Sequence, residues 1–281
     1  MNALKDLLRG IRRHPLTTGG HIFVAFSVLW TITETLSYFV PGIIIKGPIA
    51  LWALIVISIL YGLKRVWKPS KVAIDIKHTN TCIIVLFGDL FQQDGVKAVA
   101  VNDFFDSKLG KPVSENSVHG KFINLCFGGY SEAFDKQVKA NLKDVTPVEV
   151  VEREEGKSHR YPIGSTAFLT ADAGNYIAVA LTETDVANSK VSADVSMMWI
   201  ALHSLWQRAR VECGGAPLNV PLIGSGLSGL GLPTRDLLNV IILSAITETK
   251  EKAITNTIRI VLARDRYDEL DLRDVKRHWE S

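Results

Sequence analysis

The sequence predicts an α/β sandwich around a mostly parallel central sheet, carried behind a two-helix membrane hairpin. Two observations lead there. No Asp, Glu, Lys or Arg occurs between Pro15 and Thr33, or between Gly47 and Leu63. Each stretch is about as long as a transmembrane helix, for which ~17–25 residues suffice. From Val72 onward, short segments rich in β-branched residues alternate with amphipathic helical ones, the pattern of a layered α/β domain. The chain therefore divides at about residue 71 into a hairpin (1–71) and an α/β domain (72–281).

The hairpin comes first. Its spans are placed at about 21–40 and 44–63, with Glu34 the only formal charge in the first. Pro41-Gly42 breaks the helix between them, because proline lacks a donor and glycine favours turns. Lys46 and Lys64 can snorkel at the ends of the second span. Trp30, Tyr38, Trp52, Tyr61 and Trp67 supply aromatic anchors. A buried hairpin in a soluble core is the competing reading, but core helices seldom run this far without charge. A cleaved signal peptide is disfavoured by the second span that follows at once. Glu34, a carboxylate within an apolar helix, is either paired with Lys46 or part of a polar intramembrane seam.

Charge sets the orientation. Lys5, Arg9, Arg12 and Arg13 precede the first span, and Lys64, Arg65, Lys68 and Lys71 follow the second, so both termini are expected in the cytoplasm. Residues 1–71 hold nine Lys/Arg against two Asp/Glu, a net of +7; the remainder has 23 basic and 27 acidic residues, a net of −4. The pI of about 8.7 therefore belongs to the membrane flanks and gives no ground for a nucleic-acid-binding face. Cys82, Cys126 and Cys213 are scattered, with no CxxC and no Cys/His metal spacing, and read as small core residues of a reducing compartment.

In the domain, Val72–Lys77, Thr81–Phe87 and Val96–Val101 read as strands. Ser131–Val145 is helical, with Ala133, Phe134, Val138 and Leu142 on one face. Val148–Glu152 is a strand, and Tyr161–Thr170 and Tyr176–Thr182 form a hairpin about Ala173-Gly174-Asn175. Ser192–Val211 and Pro233–Thr249 are helices, Leu218–Ile223 and Thr257–Ala263 strands, and the tail from Asp265 is helical. Ser117–Lys121 reads as a turn.

Two features look chemical. Ile223-Gly224-Ser225-Gly226-Leu227-Ser228-Gly229-Leu230-Gly231-Leu232-Pro233 follows a strand and opens a helix. Its glycines permit close backbone approach, and its amides with a helix N-terminus suit a pyrophosphate. It lacks the Gly-Lys-Ser/Thr of a Walker loop and is not a Rossmann fingerprint; a merely flexible turn is the competing reading. The Gly-Ser-Gly spacing also misses the nucleophile-elbow pattern. The second feature is Gly88-Asp89-Leu90 directly after a strand, where ligands of open α/β sheets bind and a carboxylate can accept hydrogen bonds. A helix or turn cap is the competing role for Asp89. Val101-Asn102-Asp103 ends another strand in polar residues.

Together these residues resemble the macro domain, a three-layer α/β/α sandwich that binds ADP-ribose and related nucleotides. The resemblance implies that Asp89, with Leu90, contacts adenine, that Asn102 lies near the distal ribose, and that Gly224, Ser225, Gly226, Leu227, Ser228, Gly229, Leu230 and Gly231 wrap the diphosphate. More narrowly, Val101-Asn102-Asp103-Phe104-Phe105-Asp106 and Ser117-Val118-His119-Gly120-Lys121-Phe122 look like a divergent bacterial branch joined to two transmembrane helices. That branch is similar to the membrane-anchored macro effectors of Thoeris antiphage systems. Here the usual Asn-Ala-Ala-Asn run is replaced by Asn102-Asp103-Phe104-Phe105, and the triple-glycine loop by Ser117–Lys121. His119 and Lys121 are candidate contacts for an acidic or polar ligand end.

The resemblance implies a sensor rather than an enzyme, with no catalytic residue, metal or cofactor. Its ligand would be an ADP-ribose-derived nucleotide signal, made from NAD by a TIR-domain partner. Binding would drive self-association into a homo-oligomer and disrupt the bacterial inner membrane, which the chain crosses twice. The alternative is a membrane-tethered ADP-ribosyl hydrolase.

Overall fold

Proline opens both N-terminal helices, where its missing N–H is one of the unpaired donors in any case. Helix α1 runs Pro15–Phe39 and α2 runs Pro48–Val66. At ~1.5 Å per residue they are about 37 and 28 Å long. The computed structural model describes residues 11–12, 15–40, 42, 47–129, 131–226 and 230–280. The expectations for Lys5, Arg9, Arg13, Pro41, Lys46, Leu227, Ser228 and Gly229 lie outside these residues.

The chain forms two compact units, Met1–Ser70 and Lys71–Ser281. In the first, α1 packs on α2 where Gly62 meets Ile22; a Cβ at Gly62 would strike the Ile22 side chain. Ser58 is wholly buried and its hydroxyl donates to the Leu54 carbonyl. The outward faces carry large apolar chains, among them Phe23, Trp52 and Leu60, each at least 60% exposed. That distribution is the reverse of a helix facing water. Glu34 is also exposed, alongside Thr31 and Thr35, whose hydroxyls donate to carbonyls four residues back.

The second unit has β1 Lys71–Asp75, β2 Cys82–Phe87, β3 Val96–Asn102, α3 Val118–Phe127, α4 Ser131–Asn141, β4 Glu149–Val150 and β5 His159–Arg160. There follow β6 Thr166–Ala171, β7 Gly174–Thr184, β8 Val191–Ser192, α5 Val195–Glu212, β9 Leu218–Pro221, α6 Thr234–Glu251, β10 Thr257–Leu262 and α7 Leu272–Glu280. The main sheet has the order β1-β2-β10-β9-β3-β7-β6, with β8 added to β7. Its five inner strands, β2, β10, β9, β3 and β7, are parallel, and β1 and β6 close the edges antiparallel.

Strand alternation builds the layers. In β7, Ile177, Val179 and Leu181 face a core shared with α5, α6 and α7, while Tyr176, Ala178 and Ala180 face another shared with α3 and α4. Both faces are covered, which gives the expected three-layer sandwich.

Three local differences have physical causes. Ser117–Lys121 is not a turn: Ser117 caps α3, accepting from the Gly120 N–H at 2.8 Å, and the helix continues to Phe127. The β6–β7 turn sits one residue earlier than expected, since Gly174, at φ +115°, already pairs with Ala171. Val148–Glu152 supplies only the two-residue β4, which pairs with β5 in a separate ribbon.

Candidate functional site

The C-terminal ends of the parallel strands surround a cleft of about 690 Å³, within the ~300–1,000 Å³ range of small-molecule sites. Its walls are Ala100–Asn102 of β3, the start of α3 at Ser117–His119, Leu181–Thr182 of β7, and Pro221–Gly226 at and beyond the end of β9. Ser114, Asn116, Ser189 and Lys190 add polar groups.

The cleft brings together Asn102, His119, Gly224, Ser225 and Gly226 from the sequence expectations. Gly224 has φ +84°, and Leu230 fills the space its Cβ would need, so this turn requires glycine. Ser225 donates its hydroxyl to the Leu222 carbonyl at 2.7 Å. Leu230 is half-buried against the core, and Gly231, at φ +66°, precedes α6.

Asn102 is built into the protein more deeply than a ligand contact needs to be. It sits at a bulge in the β3–β7 pairing and is buried. Its amide donates to Asp106 at 2.7 Å and to the Thr184 hydroxyl at 3.1 Å. Its carbonyl accepts from the Asp106 N–H at 2.9 Å. These bonds close the Asn102–Asp106 loop, in which Phe105 adopts φ +51°.

That loop rests on a charged strap the sequence reading missed. Arg153, only 2% exposed, donates to fully buried Asp106 at 3.0 Å and lies 4.1 Å from the Phe104 ring centroid. The Lys157 backbone donates to Asp106 at 2.7 Å, and its ammonium pairs with Asp135 at 2.6 Å. Arg160 reaches Asp103 at 3.5 Å. Burial pushes the Asp103 carboxyl up, opposed by bonds from Thr184 and by Arg160. In sequence, Glu152–Lys157 is a mixed-charge run of the kind that is ordinarily solvated, and nothing in it signals a buried arginine.

His119 is buried and its Nε2 has no hydrogen-bond partner. Burial, then the Lys157 charge, push its pKa down to about 3, against a hydrogen bond to the Asp106 backbone. The ring is therefore neutral across the physiological range. Lys121 is exposed and does not line the cleft.

Asp89 and Leu90 lie two strands away, after β2. Asp89 is exposed and accepts from the Phe91 N–H at 2.9 Å, the capping geometry weighed as its competing role, while Leu90 is buried. Neither lines the cleft. Gly88 donates to Leu262 at 2.8 Å, tying this turn to the end of β10.

This arrangement of strands, layers and cleft is that of a macrodomain. Two solved Oceanobacillus iheyensis macrodomain structures align with it. One, described with ADP, is 12% identical, with a TM-score of 0.50 over 74% of this chain and 94% of that chain. The other, a mutant described with ADPR, is 12% identical, with a TM-score of 0.52 over 75% and 100%. No curated protein matches the chain. Residues 83–263 match the family described as "Thoeris protein ThsA, Macro domain". The chain belongs to that family.

Proposed function

We propose that this protein is the membrane-anchored effector of a Thoeris antiphage system, whose macro domain binds an ADP-ribose-type nucleotide. The observation that carries this reading is the match of 83–263 to the ThsA macro domain, with the cleft lying inside the matched region. In this reading Asn102 shapes one wall, the diphosphate sits on the loop assigned from sequence to Gly224–Gly231, and the adenine reaches past the cleft lining toward Asp89 and Leu90. The macrodomain structures described with ADP and ADPR support the ligand class.

In this reading a TIR-domain enzyme makes the signal from NAD, and binding drives self-association. The α1–α2 hairpin then disrupts the inner membrane, with both termini cytoplasmic. Coupling requires ligand affinity that differs between resting and assembled forms. The test is titration of the full chain in detergent with ADP-ribose and ADP-ribosylated protein. Saturable ADP-ribose binding without release of ADP-ribose from protein is the expected result. Release would favour the hydrolase, and no binding at all would remove the proposal.

A further inference from the structure

Arg266 is the basic side chain tied to the loop at Gly224–Gly226. It lies in a short 3-10 helix, Arg264–Asp268, directly after β10. Tyr267 anchors that helix, buried with its ring edge-on to Phe87, 5.1 Å between centroids. From this base the guanidinium donates to the Ser225 carbonyl at 3.4 Å and to the Thr234 hydroxyl at 3.3 Å. It therefore touches both the cleft-lining loop and the first residue of α6.

The same guanidinium is shared with a carboxylate. Arg266 Nη1 is 3.0 and 3.1 Å from the two Glu269 oxygens, and Thr234 donates to Glu269 in a short bond. Pro233, at the N-cap of α6, supplies no side-chain cap. Glu269 thus brings negative charge to the beginning of α6, where the helix dipole favours it. Its carboxyl is held below the usual range, first by the Thr234 hydroxyl and then, against a little burial, by Arg266. Arginine binds carboxylate and phosphate with the same two-pronged geometry. A diphosphate on the loop and the Glu269 carboxylate are alternative partners for one cation.

We infer that Arg266, which touches the cleft-lining loop without itself lining the cleft, binds the diphosphate of a ligand seated on that loop, and that Glu269 competes with the diphosphate for it. This rests on the nucleotide reading above and adds the charge that reads the diphosphate. Glu269 weakens binding and so sets the signal concentration at which the protein responds.

The test is ADP-ribose and adenosine binding by the full chain in detergent, comparing wild type with Arg266→Gln and Glu269→Gln. Glu269→Gln keeps an acceptor for Thr234 but loses the charge, and is expected to bind ADP-ribose about fivefold tighter. Arg266→Gln is expected to bind it about tenfold weaker, with adenosine unchanged in both. If Glu269→Gln binds no tighter, or both variants weaken equally, the cluster merely holds the loop and the inference is overturned. If Arg266→Gln does not fold, the sign of the Glu269→Gln change decides alone. A wild-type chain that binds neither ADP-ribose nor adenosine overturns the nucleotide reading, whereas wild-type ADP-ribose binding with the wrong sign in Glu269→Gln overturns only this inference.

Discussion

Asn102 and His119 show how far single residues can be read. The polar end of a strand rich in valine and alanine was visible in Val99-Ala100-Val101-Asn102, and the structure places Asn102 at the cleft wall. Its three hydrogen bonds were not visible, because their partners, Asp106 and Thr184, depend on a loop closure and on a distant strand. In sequence, His119 suits an exposed turn or a contact for an acidic or polar ligand end. Its burial follows from a helix the spacing did not reveal. A buried neutral histidine has a stability consequence. The unfolded imidazole titrates near 6.5 and the folded one near 3. Between those values the unfolded chain binds a proton that the folded chain does not, so stability rises with pH across that window and falls on acidification. His119→Phe is expected to give a flatter stability profile than wild type between about pH 6.5 and 5. Chemical denaturation at successive pH values measures this, and parallel profiles would contradict it.

Elements with a strong period were legible, and those defined by a neighbour were not. The inner strands and helices α5 and α6 follow from their apolar spacing. α3 did not, because Asn116-Ser117 and Gly120 look like turn residues. Gly120 is there for packing: a Cβ would strike the Ser114 carbonyl and the Glu115 backbone. Backbone cannot yield as a flexible side chain would, so Gly120→Ala is expected to destabilise the domain by about 1–3 kcal/mol. Thermal unfolding reads this directly, and an unchanged midpoint would show that the α3 start can shift. The strap's ribbon was partly legible, since Val148–Glu152 has the composition of a strand. Its anchoring was not, because Arg153 is held in the interior by Asp106, the Lys157 carbonyl and the Phe104 ring, partners that only the fold brings together.

For the whole molecule, the three-layer sandwich follows from alternating strands and helices, and the mixed edges of the sheet required the structure. The two apolar helices were legible from the length of their charge-free stretches, and their outward aromatic and aliphatic chains support membrane insertion. The expected outcome is that the full chain stays with membranes through an alkaline carbonate wash; release into the wash would remove the anchoring proposal while leaving nucleotide binding intact. The strand register carries a further consequence. β1 runs antiparallel to β2, pairing Lys71 with Leu86 and Asp75 with Cys82. The chain therefore enters the domain at the sheet end that carries the cleft. Mechanically, this is the loaded end: a tug on the preceding chain is felt first at the Lys71–Leu86 pair. The far end, at Asp75 and Cys82, is shielded by the other cross-strand pairs.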